Sequence, residues 1–233
     1  WVAERVRVGT DVEIAFHDAF GDGPGVLLVA GTGSIAWGRS EDGRTGRVGG
    51  WGTLLGDEGS GHAIGLEALR RVTRDADGRG PSTDLRRRVL ERLGLGGAED
   101  LIAWSTGAAK SEIAALVPVV IEAAAAGDAV AGEILVKAVE ELEGHLLTLL
   151  ENLGPWSQPP PLALAGGLLG PKGPLRRGME RMGRSHRLPL VERPLDAARG
   201  AAGKAAALLG PPPTGAPAPA PPTPPSSRRD TSR

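Results

Sequence analysis

The sequence predicts an α/β domain interrupted by a long helical insertion, and three observations carry that prediction. Short apolar runs at 26–30, 35–38 and 45–48 are separated by Gly-rich turns and read as strands. From about residue 58 to residue 153 the apolar positions keep helical spacing, with no strand signal. A further buried strand at 162–165 then opens an alternation of helical and extended segments.

Taken in order, residues 1–10 place Val2, Val6 and Val8 among charges and read as a strand end. Asp11 follows Gly9-Thr10. Val12, Ile14, Ala15, Phe16, Ala19 and Phe20 suit a short amphipathic helix with Asp11 as its N-cap. That carboxylate is open to two readings: a simple cap, or an acid at the end of a strand, where α/β folds place ligands. Gly21-Asp22-Gly23-Pro24 is a turn. The strand at 26–30 ends at Gly31-Thr32-Gly33-Ser34, and Asp42-Gly43 is a hairpin signal between the second and third strands.

Gly49-Gly50-Trp51-Gly52 and Gly56-Asp57-Glu58-Gly59-Ser60-Gly61 follow, leading into a helix from Glu58 to about Arg74. Glycines let a backbone approach a ligand closely, and the hydroxyls and carboxylates between them supply hydrogen bonds. Asp57, Glu58 and Ser60 fall at the helix start, which can meet a ligand's anionic groups or serve the helix's own amides.

Further helices are expected from Ser82 or Thr83 to Leu93, over 99–104, and over 110–126 with a break at Pro118. The Arg86-Arg87-Arg88 run reads as a solvated face. Asp128 caps the longest helix, which runs to about Leu153 on a core stripe that includes Val130, Ile134, Leu142 and Leu149. The strand at 162–165 delivers Gly166-Gly167. This pair either lets a flat ring or a phosphate lie on bare backbone or simply makes a tight turn. A basic helix at 175–182, a strand at 188–191 and an Ala-rich helix at 196–209 complete the order. It is the order of one half of a ribonuclease-H-like, actin-like fold. The Pro-rich stretch 211–233 has no apolar periodicity and is expected to be disordered.

Composition narrows the chemistry. The 233 residues carry a net charge of -1, which gives no reason to expect nucleic acid as a partner. With no cysteine, disulfides, thiolate catalysis and Cys-ligated iron–sulfur clusters are excluded within this stretch. His17, His62, His145 and His186 are scattered, so no dedicated zinc site is expected, and packing or exposure accounts for each. Trp37, Trp104 and Trp156 read as core. No apolar run reaches the roughly 20 residues of a membrane helix, and no signal peptide is read, so the expectation is cytoplasmic. The chain opens on Trp1 and is expected to be a fragment or a processed form.

GTGS at 31–34, GGWG at 49–52, GDEGSG at 56–61 and LAGG at 164–167, in that order and with Asp11 twenty residues upstream of Gly31, carry a resemblance. The pattern resembles the N-acetylglucosamine kinase group of the BadF/BadG/BcrA/BcrD ATPase family, within the sugar kinase, heat-shock-cognate and actin superfamily. The resemblance implies an ATP-dependent kinase with Mg2+ that phosphorylates N-acetylglucosamine, glucosamine or a related amino sugar at its 6-hydroxyl. By similarity, Asp11 matches the general base. Thr32, Ser34, Gly50, Trp51 and Asp57 match substrate-binding positions, and Gly31, Thr32, Gly33, Gly166 and Gly167 match nucleotide-binding positions. No residue is matched to a metal. The expected partners are the sugar and ATP, with neither nucleic acid nor membrane, and a homodimer is admitted.

The family's N-terminal Asp-Gly-Gly-Gly-Thr phosphate loop does not occur here, and no GxxxxGK[ST] replaces it. The chain is therefore expected to be the C-terminal lobe of such a kinase, with little turnover alone. Residues 1–24 would form the end of the other lobe and the hinge, 25–210 the lobe with its insertion, and 211–233 the tail. Two alternatives remain: an ATPase that activates a 2-hydroxyacyl-CoA dehydratase, and a non-catalytic sugar sensor. The missing cysteines argue against the first.

Overall fold

The computed structural model describes residue 6 and residues 8–208. A mixed four-stranded sheet has the order β3-β2-β1-β4. β1 (Gly25–Ala30), β2 (Ser34–Arg39) and β3 (Thr45–Gly49) form an antiparallel meander, and β4 (Leu162–Ala165) lies parallel to β1 with Leu28 opposite Leu164. The Asp42-Gly43 turn closes through the Ser40 amide, which donates to the Arg44 carbonyl at 2.8 Å. The meander followed by a parallel strand is the order that the sequence predicts.

The pleat sends alternate side chains to opposite faces. Val26, Leu28, Ala30, Leu162 and Leu164 point into the main core, while Leu27, Val29, Ala163 and Ala165 point into a smaller one. The main core is roofed by α2 (Gly61–Ala76), α3 (Leu85–Leu93), α6 (Val117–Ala125) and the long α7 (Ala129–Leu153). The smaller face is covered by α1 (Asp11–Phe20), which also packs against α9 (Ala197–Leu208). There Phe16 meets Trp37 edge-on at 4.4 Å.

α4 (Asp100–Gly107), α5 (Lys110–Ala114) and α8 (Arg176–Ser185) complete the helices. The insertion contains helices and no strand among the described residues, and α7 starts and stops where the sequence places it. Asp128 caps it by accepting the Ala131 amide at 2.8 Å, and also accepts from the Thr83 hydroxyl and the Asp84 amide. Arg87 of the basic run pairs with Asp84 and Glu91 on an exposed face.

Several expectations are corrected, among them the start of α2, which is Gly61 rather than Glu58, and the N-cap of α3, which is Asp84 rather than Ser82 or Thr83. Most of the strand end expected over 1–10 lies outside the described residues, and residues 8–10 are irregular. The N-cap of α1 is Thr10 rather than Asp11. Glu13 reaches back to the Thr10 amide at 2.8 Å and so completes a capping box, leaving Asp11 as the first helical residue. The helix expected over 110–126 breaks at Ala115-Leu116, ahead of Pro118, because proline is accommodated in a first turn. The strand expected at 188–191 is reduced to one bridge between Leu162 and Leu190, since Pro189 has no amide to extend a ladder. The expected Pro-rich tail lies outside the described residues.

Candidate functional site

The carboxyl ends of β1 and β4 lie side by side; β1 runs into Gly31-Thr32-Gly33 and β4 into Gly166-Gly167. A Cβ on Gly31 would stand 3.7 Å from the Gly167 amide nitrogen, so the two turns are neighbours. Gly166 has φ +89°, and a Cβ there would fall 2.3 Å from the Ala30 carbonyl oxygen. Only glycine fits that crossing. Thr32, Gly166 and Gly167 are exposed, and among the described residues the amides of Thr32 and Gly33 have no hydrogen-bond acceptor. Two unpaired amides on an exposed Gly-rich turn are suited to bind an anion.

The turn is braced from behind by the start of α2. Gly61 and His62 donate their amides to the carbonyls of Gly31 and Thr32, at 2.8 and 3.3 Å. Ser60 caps α2 by accepting the Ala63 amide at 3.2 Å. The head of α2 therefore serves the turn rather than a ligand directly. His62 is buried, and that burial, helped by the nearby Lys110 ammonium, keeps its pKa below the ordinary value.

Asp57 is 4 % exposed and holds a left-handed backbone, φ 63°. Its Oδ1 accepts the Ser34 amide at 3.1 Å and its Oδ2 accepts from Lys110 Nζ at 2.6 Å. The Ser34 hydroxyl donates to the Glu58 carbonyl at 2.6 Å, and the Gly50 amide donates to the Ser34 carbonyl at 3.1 Å. Thus the turn at 31–34, the loop at 49–52 and the loop at 56–61 are joined by hydrogen bonds centred on Ser34.

Trp51 extends outward, 64 % exposed, with the Arg47 guanidinium 4.5 Å over its ring. Arg47 in turn donates to the Gly49 carbonyl at 2.8 Å. Under the loop, His145 of α7 approaches Glu58, with Nε2 to Oε2 at 3.5 Å. A cavity of about 370 Å³ opens on the α2–α7 side of the 53–59 loop, lined in part by Leu54, Glu58, His62, Arg70 and Glu133.

Asp11 stands at the head of α1, which covers the smaller face of the sheet. The chain doubles back at Gly21-Asp22-Gly23-Pro24, so α1 runs antiparallel to β1. Phe20 packs at Gly25, and Val12 joins Val29 and Ala165. The first turn of α1 therefore packs in the same small core to which Val29 and Ala165 contribute. Asp11 is exposed, and its Oδ1 accepts the Val12 amide at 2.8 Å. Among the described residues, no hydrogen bond or ion pair joins it to the Ser34–Asp57 cluster.

Two features escape sequence reasoning. Lys110 enters the cluster from the helical insertion, 53 residues beyond Asp57. Asp18 anchors α1 to the far end of the chain, accepting from Arg193 at 3.0 Å, from the Asp196 amide at 2.8 Å and from Arg199 at 2.9 Å. Neither belongs to a local motif, although Asp18 on the packed side of an amphipathic helix is a faint signal.

The sequence pattern of the BadF/BadG/BcrA/BcrD ATPase family matches residues 3–203. This chain belongs to that family. It is 38 % identical over 167 residues to the N-acetylmuramic acid/N-acetylglucosamine kinase of Clostridium acetobutylicum, covering 71 % of this chain and 55 % of that protein. It is 36 % identical over 186 residues to the N-acetyl-D-glucosamine kinase of Dictyostelium discoideum, covering 74 % of this chain and 58 % of that protein. The chain thus spans little more than half the length of these curated relatives.

Its fold aligns with the crystal structure of a proposed N-acetylglucosamine kinase from Chromobacterium violaceum. The TM-score is 0.67 at 32 % identity, covering 83 % of this chain and 63 % of that one. The fold is the actin-like ATPase fold of that structure, with a helical insertion. Among the described residues no helix is long and apolar enough to cross a membrane.

Proposed function

We propose that this chain supplies one lobe of an ATP-dependent kinase that phosphorylates the 6-hydroxyl of N-acetylglucosamine, glucosamine or a related amino sugar. The observation that carries the reading is the turn at 31–33, exposed at Thr32 and with two unpaired amides, set against the bare backbone of Gly166-Gly167. The kinase names of the relatives from Clostridium and Dictyostelium support the reaction class.

In this reading Gly31, Thr32 and Gly33 bind phosphate oxygens through backbone amides, and Gly166 and Gly167 make room for the adenosine. Asp57 accepts from sugar hydroxyls, and Thr32 and Ser34 border the sugar. Trp51 offers an apolar face beside Gly50. Asp11 orients the 6-hydroxyl and takes its proton as phosphorus arrives. Phosphoryl transfer asks mainly for positioning and charge stabilisation, which suits a site built from rigid turns.

Among the described residues no group of three or more His, Asp or Glu is placed to hold a metal ion. In this reading Mg2+ accompanies the phosphates of the ATP substrate. Residues 1–24 are assigned to the end of the other lobe and the hinge, with α1 of that stretch packed on the smaller face of this lobe's sheet, and 25–210 to this lobe.

The test is a phosphoryl-transfer assay on the full-length protein across amino sugars, with Asp11→Asn beside it. Loss of a general base should lower kcat about 10²- to 10⁴-fold while sugar binding survives. A kcat close to wild type would remove Asp11 from that role, and absence of transfer to every sugar would remove the kinase reading.

A further inference from the structure

We propose that Lys110 is the cation that binds the transferring phosphoryl group, presented to the turn at 31–33 by the helical insertion. The proposal rests on the kinase reading above and adds to it a residue that the motifs do not contain.

α5 is held tightly against α2. A Cβ on Gly65 would fall 2.0 Å from the Ile113 carbonyl oxygen, and one on Gly61 would lie 3.4 Å from Ala114 Cβ. These two glycines, one turn apart on α2, let α5 lie directly on the helix backbone. That docking leaves little freedom for the first residue of α5, which is Lys110.

Its ammonium is delivered to one place. Nζ stands 2.6 Å from Asp57 Oδ2, and a Cβ on Gly33 would stand only 3.1 Å from Nζ and 2.6 Å from Asp57 Oδ1. The absent Gly33 side chain is thus the space that the Lys110–Asp57 pair occupies. Lys110 is one-third exposed, while Asp57 is buried. Asp57 is thus the enclosed member of the pair beside Gly33, and Lys110 the more accessible one.

An ammonium has three donors and the pair uses one. The others remain for oxygens bound at the neighbouring amides of Thr32 and Gly33. Arg47, the cation beside the other loop, is engaged with the Gly49 carbonyl and the Trp51 ring.

Charge supplies the reason. In the transfer, the bond between the sugar oxygen and phosphorus forms as the bond from phosphorus to the leaving oxygen of ADP breaks, and the hydroxyl proton passes to Asp11. The non-bridging oxygens carry negative charge throughout. Backbone amides give partial charges, whereas a fixed ammonium adds a full one in a partly shielded place, where electrostatic stabilisation is strongest. Lys110 neither gives nor takes a proton. It spans the sugar-recognition carboxylate and the phosphate turn, so the two substrates would be registered against one side chain.

The experiment compares wild type, Lys110→Gln and Lys110→Arg in the full-length protein. Glutamine keeps a donor for Asp57 without the charge, and arginine keeps the charge. Lys110→Gln should lose about 10²-fold in kcat with sugar affinity changed less than about threefold, and Lys110→Arg should recover about tenfold of that loss. In calorimetry without sugar, Lys110→Gln should weaken ATP about tenfold and leave AMP unchanged, because only ATP places phosphate at the turn.

Equal ATP affinity in wild type and Lys110→Gln would overturn the proposal. So would a loss confined to sugar affinity with kcat retained, which would make Lys110 only a prop for Asp57. Since nucleotide affinity is read without turnover, these outcomes stand apart from a wild type that binds ATP and phosphorylates none of the sugars, which would sink the kinase reading alone.

Discussion

The Cβ that Gly166 lacks would lie 2.3 Å from the carbonyl oxygen of Ala30, so the end of β4 crosses the end of β1 at a distance that no side chain survives. Gly166→Ala must push the two strand ends apart and also strain a backbone held at φ +89°. We expect a stability loss of about 2 kcal/mol in thermal or urea unfolding, together with weakened nucleotide binding. Gly167→Ala, whose Cβ would meet nothing, should unfold like wild type.

Asp18 gives a pH signature. The Arg199 hydrogen bond chiefly, with the Asp196 amide and Arg193, outweighs the opposing effect of burial and holds the Asp18 carboxyl well below the usual carboxylate range. A depressed native pKa adds stability that is fully present above the unfolded value of about 4 and is lost as pH falls toward the native one. Asp18→Asn should cost about 2 kcal/mol at neutral pH, less than a fully enclosed ion pair because both arginines are half exposed. The gap between wild type and variant should narrow as the pH drops from about 5 to about 2 in unfolding curves.

Gly65→Ala separates docking from chemistry. A methyl group cannot coexist with the Ile113 carbonyl, so α5 must lift from α2. The expected result is a loss of about 2 kcal/mol in stability. Weaker ATP affinity, read by calorimetry at a temperature where the variant is folded, should accompany it and match that of Lys110→Gln.

Trp51→Ala should do the reverse. The indole is mostly exposed and packs on Arg47 rather than on the core, so unfolding should change by less than about 0.5 kcal/mol. If the ring forms a wall for the sugar, the KM for sugar should rise about tenfold with ATP affinity unchanged.

Much of this architecture is legible in the sequence because the signals are local. The run from Val130 to Leu149 repeats at helical spacing behind a capping aspartate, and α7 follows it. Asp42-Gly43 marks its hairpin in the same way. The first helix shows how a local signal can be misassigned. Thr10 and Glu13 stand three apart, the spacing of a capping box, and so Thr10 outcompetes the neighbouring Asp11.

The site is legible in part. Its turns are written in glycines, which are needed where backbones cross, as at Gly166. Lys110 is not, because its role depends on α5 lying against Gly61 and Gly65, and that contact is made in three dimensions by residues with no shared spacing. The same holds for the arginines that hold Asp18, which come from 175 and 181 positions away.

The clasp at Asp18 has a consequence for the acid at the head of the same helix. Arg193 and Arg199 fasten α1 where α9 begins, so the alignment of Asp11 is underwritten by the last helix described. Trimming this protein back past Asp196 would remove Arg199 and the α9 face on which α1 rests, and so loosen the helix that begins at Asp11, the residue proposed here as the base.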